Sequence, residues 1–431
     1  MIGSVVPSLN FSSSDDIDWT SSPSELTRFR ENTRPKELLD LPYYVAPTES
    51  AKIVFITSPE LVEKILVSDD AKYPKAAIQQ RLGRQIFGPS INATLGEQNK
   101  RQKECLKYFF TGKQAEKVKT VARVATIDAI KRWQQQGEID LYREFGELAL
   151  QITWATLFGN NQYISRETIV VETIDRLHSL NKSDYKGSAQ VLSSLIDHFI
   201  VEERWRILER DNPFRGVVEK GQTDIMHFLN ARETRANALL MAASAHITTG
   251  VTLSWCFRLL AQYPQYQNEI YQSILANESG ACTKELVRSC LNETMRLFPP
   301  VPEVLRDAKV GLELPDLKMP KGSLVMLPFY FMHRHNTLWE NPNEFHPERF
   351  RRNALKSGPR KQGFYPFSAG NYGCSGMTVA WSEMYTILVT CIKYLQFDIC
   401  EVSQPEMSID LGTLLYPKSP LKCDVRARSR N

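Results

Sequence analysis

The chain has 431 residues, 24% of them charged and 42% hydrophobic, with a formal net charge of +4. It can bury a large core, its composition is ordinary for a soluble globular protein, and its charge is too small to indicate nucleic-acid binding. Eight cysteines (Cys105, Cys256, Cys282, Cys290, Cys374, Cys391, Cys400 and Cys423) without a C-x-x-C pair exclude a zinc ribbon, a thioredoxin-type motif and a disulfide framework. They read as mostly reduced, buried thiols of a cytoplasmic protein.

Residues 1–50 are polar and proline-rich and lack the basic start and apolar run of a signal peptide. Lys52 to Thr57 (KIVFIT) is apolar and β-branched, which predicts a strand. Ser58 then caps a helix with Pro59 in its first turn, running to about Val67. From Gly96 to about Ala155 the pattern is helical, whereas 165–215 mixes helical stretches with polar breaks. Glu233 to Leu260 predicts a helix of on the order of 40 Å, long enough to cross a domain. Inside it, Ala236 to Phe257 carries no Asp, Glu, Lys or Arg and has the length of a bilayer span. Asn237, Ser244, His246, Thr248, Thr249 and Thr252 would then need partners in hydrocarbon, so a central helix of a soluble protein explains the stretch better, with no membrane anchor.

Thr283 to Phe298 is a further helix, stopped by Pro299-Pro300. From Pro299 to Pro366 there are ten prolines, with a short strand at Ser323 to Pro328, before a helix returns over Gly376 to Tyr394. The expectation is a mainly α fold with a minor β component. Residues 1–431 would form a single domain, with a polar segment at 1–50, a small sheet module near the N-terminus and a long central helix.

The chemistry concentrates in Phe367-Ser-Ala-Gly370-Asn-Tyr372-Gly373-Cys374-Ser-Gly376. Three glycines permit close backbone approach, and the helix starting after the cysteine favours a thiolate through its free N–H groups. Such a cysteine is a metal ligand or a nucleophile; a buried thiol in a glycine-rich turn is the plain alternative. Upstream, Glu293 and Arg296 share a helix face, and Arg349, set among prolines and aromatics in Pro342 to Phe350, is a candidate third partner.

Taken together, these three elements resemble the cytochrome P-450 family. Its E-x-x-R is met by Glu293 and Arg296. Its P-x-x-F-x-P-E-R-F runs intact from Pro342 to Phe350, after Met332-His333-Arg334. Its heme-binding F-x-x-G-x-R-x-C-x-G is met by Phe367, Gly370, Cys374 and Gly376. The resemblance implies heme b (iron protoporphyrin IX) with Cys374 as axial thiolate and metal ligand. Thiolate ligation favours O–O cleavage. It further implies a buried Glu293–Arg296–Arg349 triad supporting the loop, Phe367 beside the heme, and Arg306 on a heme propionate.

The sequence departs from the family at three places. Tyr372 stands where an arginine is usual. Asn99 and Lys103 occupy the Trp and Arg positions of G-x-x-W-x-x-x-R; Lys103 would meet a propionate as a point charge, or be a solvated helix charge. The central helix reads Ala242-Ala-Ser-Ala-His246-Ile-Thr248-Thr249-Gly250 where A/G-G-x-D/E-T-T is usual. Aligning small residues puts His246 at the acid and Ile247 at the threonine; aligning hydroxyls puts Ile247 at the acid and Thr248 at the threonine. Both registers stay open, with Thr248, His246 and Thr249 as the candidate proton-delivery residues. A threonine bonded to its own helix carbonyls, or a satisfied interior histidine, is the alternative.

Leu82, Ile86 and Phe87, with Ala242, Ala243 and Ala245 leaving space, are candidate lining residues for a small hydrophobic substrate. No redox module is fused, so the resemblance implies a separate ferredoxin- or flavodoxin-type donor with an NAD(P)H reductase. The basic run Arg351, Arg352, Lys356, Arg360, Lys361 is a candidate docking patch, or a merely solvated loop. The leading expectation is a monooxygenase that hydroxylates or epoxidises this substrate with O2. A peroxide-driven peroxygenase, or an isomerase or dehydratase of the same family, is the alternative raised by the altered central helix, and a non-catalytic heme protein is the third. Compact length without an anchor resembles soluble bacterial members.

Overall fold

A strand buried along its whole length anchors the main sheet. In the computed structural model, β2 (Ile53–Ile56) pairs antiparallel with β1 (Tyr43–Ala46) and parallel with β7 (Leu324–Leu327), which pairs antiparallel with β4 (Val304–Asp307). The structure describes residues 36–46, 53–158, 229–314, 317–351, 363–400, 409–411, 414–417 and 419–428; the stretch 165–215 lies outside them. The β2–β7 pair joins Ile53 to Leu324, so its crossover contains most of the helical body.

Helix α1 (Pro59–Glu63) begins as its residues dictate: the Ser58 hydroxyl accepts from the Leu61 N–H and Pro59 fills the first turn. Next come α2 (Ala77–Phe87), α3 (Gly96–Leu106) and α4 (Gly112–Gln136), then β3 (Glu138–Asp140) and α5 (Leu141–Phe158). The single helical stretch predicted from 96 to 155 is therefore broken twice. Lys107–Phe110 tightens into a 3-10 turn before Thr111 caps α4, and Gly137, at φ 75°, ends α4 and admits β3.

The predicted central helix is α6 (Ala231–Gln262), opened by a capping box between Asn230 and Glu233. It crosses α5 so closely that a Cβ on Gly250 would sit 2.9 Å from the Gly146 Cα. Trp255 stacks on Phe298 at 4.1 Å and Phe257 on Phe145 at 4.6 Å. Over Arg232–Gln262 the helix is long and apolar enough for a bilayer, but 83% of its apolar 18-residue stretch is buried inside the protein, as in a core helix. Its apolarity is answered by protein side chains.

Helices α7 (Pro264–Asn277) and α8 (Ala281–Leu297) follow, and α8 stops at Phe298 before the prolines. After β5 (Leu312–Leu314), β6 (Leu317–Met319) and β7, the one-turn α9 (Phe329–Met332) leads into the proline-rich segment. Helix α10 (Met377–Tyr394) starts just past the cysteine loop and lies along α4. Strand β8 (Leu395–Ile399) then pairs with β11 (Lys422–Ala427), which also holds β3; β9 (Ile409–Leu411) and β10 (Leu415–Pro417) form a hairpin. The protein is mainly α, with its four-stranded sheet seeded near the N-terminus, as the sequence implies. All eight cysteines are free; Cys256, Cys290, Cys391 and Cys423 are buried, and burial raises each of these thiols.

Candidate active site

The scaffold beneath the cysteine loop is an ion-pair cluster with no exposed side-chain surface on Glu293 or Arg296. Arg296 grips Glu293 through Nε (2.7 Å) and Nη2 (2.8 Å). Its remaining N–H groups reach the carbonyls of His333 (2.8 Å), Pro342 (2.6 Å) and Glu344 (3.0 Å). Arg349 Nε lies 3.4 Å from Glu293 Oε1, and the His346 N–H donates to the same oxygen at 2.9 Å. A buried pair survives desolvation only when its other donors and acceptors are satisfied, and here they are. Arg296 also lies 5.2 Å from the Trp339 ring, which packs with Phe364 and Phe350. The His333 Nε2 accepts from the Tyr365 N–H at 3.1 Å, so α8 is tied to the residues that lead into the loop.

The loop itself turns on Ser368 (φ 57°) and Gly370 (φ 69°). A Cβ on Gly370 would stand 1.7 Å from the Leu66 carbonyl oxygen, so only glycine fits. The Cys374 N–H donates to the Phe367 carbonyl at 2.9 Å, and the Phe367 ring packs on Trp381 at 6.0 Å. The Cys374 side chain is accessible to solvent, yet protein crowds it enough for burial to raise its thiol. The Gly376 N–H and Lys103 act the other way and favour the thiolate. Phe110 approaches from the 3-10 turn: a Cβ on Gly376 would lie 3.8 Å from its ring and 3.9 Å from the Cys374 sulfur. Cys400, by contrast, stands after β8 with its thiol toward Glu138 and Asp424, outside this loop.

Beside the cysteine, three cations surround one phenol. The ammonium groups of Lys75 and Lys103 lie 5.0 and 5.9 Å from the Tyr372 ring centre, and the Arg306 guanidinium 5.5 Å. Lys103, on α3, also bonds the Asn371 carbonyl of the loop. Burial, then Lys103 and Arg306, push Lys75 down to about 7, and burial pushes Arg306 down to about 10. No carboxylate bonds any of the three among the described residues. Asp70, whose charge acts on Arg306, accepts instead from the Asn371 amide at 2.5 Å. Asn99, at the usual Trp position, is buried and bonds the Ile91 carbonyl (2.7 Å) and Thr94, which braces the 91–94 loop.

On α6, most residues around the altered motif are buried, but Ser244 and Ala245 are exposed and Thr248 is half-exposed. Spacing of i, i+1 and i+4 places these three on one face. The Thr248 hydroxyl donates to the Ser244 carbonyl at 2.9 Å. His246 and Thr249 are buried away from that face, with His246 Nδ1 on the Ala242 carbonyl at 2.7 Å. Of the three candidates, Thr248 alone reaches the exposed face, and its hydroxyl makes the own-helix carbonyl bond that the plain alternative describes. Ala242 and Ala243 pack into the core, leaving Ala245 as the one of the three expected alanines on the open face. Leu82, Ile86 and Phe87 are half-buried on α2.

Glu233 locks these parts together. Its carboxylate caps α6 and accepts from Gln98 (2.9 Å), Arg101 (2.5 Å) and Gln102 (3.0 Å) of α3, so the helix bearing Lys103 is fixed to the helix bearing Thr248. In the basic run, Arg351 is paired with Glu269 at 2.7 Å and lies near Glu348; Arg352, Lys356, Arg360 and Lys361 lie outside the described residues. Sequence reasoning missed Lys75, Ser244, Phe110 and Glu233. Only Glu233 carried a local signal, the Asn230-x-x-Glu233 capping pattern.

The donor set fits a heme. A solvent-accessible cysteine receives an N–H at its sulfur, and the cations beside it, Lys75 and Arg306 buried and Lys103 half-exposed, have no carboxylate bond among the described residues, which suits a cofactor bearing two propionates. The cytochrome P450 family pattern matches residues 43–425. Cytochrome P450 3A6 of Oryctolagus cuniculus is 25% identical over 425 residues, which cover 87% of this chain and 83% of that protein. Cytochrome P450 3A12 of Canis lupus familiaris is 25% identical with the same coverage, and cytochrome P450 4A10 of Rattus norvegicus is 33% identical over 40% of this chain and 34% of its own. A match this long, on a chain with this loop, this ion-pair cluster and this helix, shows that the protein belongs to the cytochrome P450 family of heme-thiolate monooxygenases.

Proposed function

We propose that Cys374 would hold the heme iron through its thiolate and that the open face of α6 would form the oxygen-handling wall of a monooxygenase for a small hydrophobic substrate. When bound, heme with a thiolate ligand supplies the electron density that favours O–O cleavage. The protein's part is to hold and protect that chemistry. The Gly376 N–H and Lys103 stabilise negative charge on sulfur, while Phe110 and the Phe367 segment close the sulfur side against water. Arg306, Lys103 and Tyr372 meet the propionates. Thr248, whose hydroxyl rests on the Ser244 carbonyl of its own helix, would turn Oγ1 outward on the open face to pass a proton, with Ile247 buried behind it. Small Ala245 leaves room there, and Leu82, Ile86 and Phe87 supply apolar surface on α2.

The observation that carries this reading is the crowded yet accessible Cys374 beside three cations, two of them (Lys75 and Arg306) buried, that no carboxylate bonds among the described residues. Residues 1–431 would act as one heme domain, a view supported by the pairing of Ile53 with Leu324 across the helical body. Electrons would come from a separate ferredoxin- or flavodoxin-type donor and its NAD(P)H reductase. Eight free thiols favour a reducing, cytoplasmic setting.

One feature favours a second reading. Ile247 offers no carboxyl beside Thr248, so use of peroxide, which arrives already reduced and protonated, would relieve the site of proton delivery. Turnover assays separate the two. Substrate oxidation with O2, NAD(P)H and surrogate redox proteins in the presence of catalase supports the monooxygenase. Oxidation that needs added peroxide and no reductant supports the peroxygenase and overturns the first reading.

A further inference from the structure

We infer that Lys75 binds a heme propionate and takes over the role of the loop arginine that this chain replaces with Tyr372. The inference rests on the heme-thiolate reading above and adds a cofactor-binding residue from outside the family motifs.

The geometry makes Lys75 hard to explain without an anion. Lys75 and Arg306 face each other across an antiparallel backbone bridge, held on either side by Ala76 N–H to Leu305 carbonyl (3.3 Å) and Asp307 N–H to Pro74 carbonyl (3.0 Å). Residues directly opposite in such a pair have Cβ atoms about 5 Å apart, and like charges there repel. Both side chains are also buried, at 7% and 3% exposure, and Lys103 adds a third positive charge over the same phenol. The phenol does not neutralise them, because burial and Asp70 raise its pKa and keep it protonated.

The Lys75 ammonium donates to the carbonyls of Ile91 (2.6 Å) and Asn92 (3.1 Å). An ammonium has three N–H donors, so one is left for a ligand. A loop anchor alone would not require a charge here, since the neutral Asn99 amide already bonds the Ile91 carbonyl. Two propionate carboxylates would answer the clustered charge of Lys75, Lys103 and Arg306. This restores the cation that is lost where tyrosine replaces arginine.

The test compares purified holoprotein with K75M, K75Q and K75M/Y372R, following transfer of heme to excess apomyoglobin together with the ferrous carbon monoxide spectrum. K75Q keeps amide donors for the two carbonyls but removes the charge. The expected result is heme loss about ten- to a hundredfold faster in K75M and K75Q, the scale of one charged hydrogen bond. The remaining heme should keep its thiolate spectrum, and K75M/Y372R should return toward the parent rate. Parent-like retention in K75Q shows a carbonyl anchor only and overturns the inference, as does a K75M/Y372R that loses heme as fast as K75M. A parent protein without a heme-thiolate spectrum overturns the underlying reading as well. A parent that has that spectrum, alongside a K75M that retains heme equally well, overturns this inference alone.

Discussion

Replacing Arg296 by lysine keeps the charge and the approximate length, so it isolates what the guanidinium fork contributes. All five Arg296 N–H groups are used: two on Glu293 and three on the carbonyls of His333, Pro342 and Glu344. Lysine offers three N–H donors from a single nitrogen, so at least two of these acceptors lose their partner. Each is charge-assisted and made by a fully buried guanidinium, at roughly 1.5–3 kcal/mol, which gives a loss of about 3–6 kcal/mol for R296K. R296M also strands the Glu293 carboxylate, adding about 3–5 kcal/mol, and the sum approaches the whole stability of a typical domain. Urea unfolding of the holoprotein, followed by far-UV circular dichroism and Soret absorbance, measures the first; the heme-bound soluble fraction after expression measures the second. An R296K midpoint equivalent to less than 1 kcal/mol of change would refute the reasoning, because it would mean that the five contacts do not act as a set.

Other outcomes follow from single contacts. G370A drives a Cβ into the Leu66 carbonyl oxygen and should cost about 3 kcal/mol and displace the cysteine loop, read as loss of bound heme. His333 stays neutral in the fold because burial, then Arg296 and Arg334, push its pKa down to about 3, whereas the unfolded chain takes up the proton near 6.5. Its contribution is therefore full above pH 6.5 and falls as pH drops toward 3, by up to ~1.4 kcal/mol per pH unit; H333Q should flatten that slope in urea titrations between pH 7.5 and 5. T248V should lower product formed per NAD(P)H by about a hundredfold, with the electrons diverted to peroxide, while H246A changes this ratio little; equal effects would contradict the assignment of the open face.

Much of the site was legible because its signals are local. A cysteine among glycines at a helix start, a Glu and Arg three apart, and an intact Pro342 to Phe350 run each state their chemistry within ten residues. The long α6 was legible from its apolar length, and the early strand from its β-branched run. Helix rotation was not legible: whether Thr248 or His246 meets the site depends on how α6 packs on α5 at Gly146 and Gly250, a contact between segments far apart in sequence. Lys75 was hidden for the same reason, since only the backbone bridge to Arg306 brings it to Tyr372. Ala242 and Ala243 misled because a small side chain serves close helix packing as readily as an open space.

The most direct test of the central claim is the reduced carbon monoxide difference spectrum of the purified protein beside its C374S variant. The expected result is a strongly red-shifted Soret band, characteristic of thiolate ligation, in the parent and its loss in C374S. A parent spectrum without that band, or a C374S protein that keeps it, would contradict the assignment of Cys374 as the iron ligand.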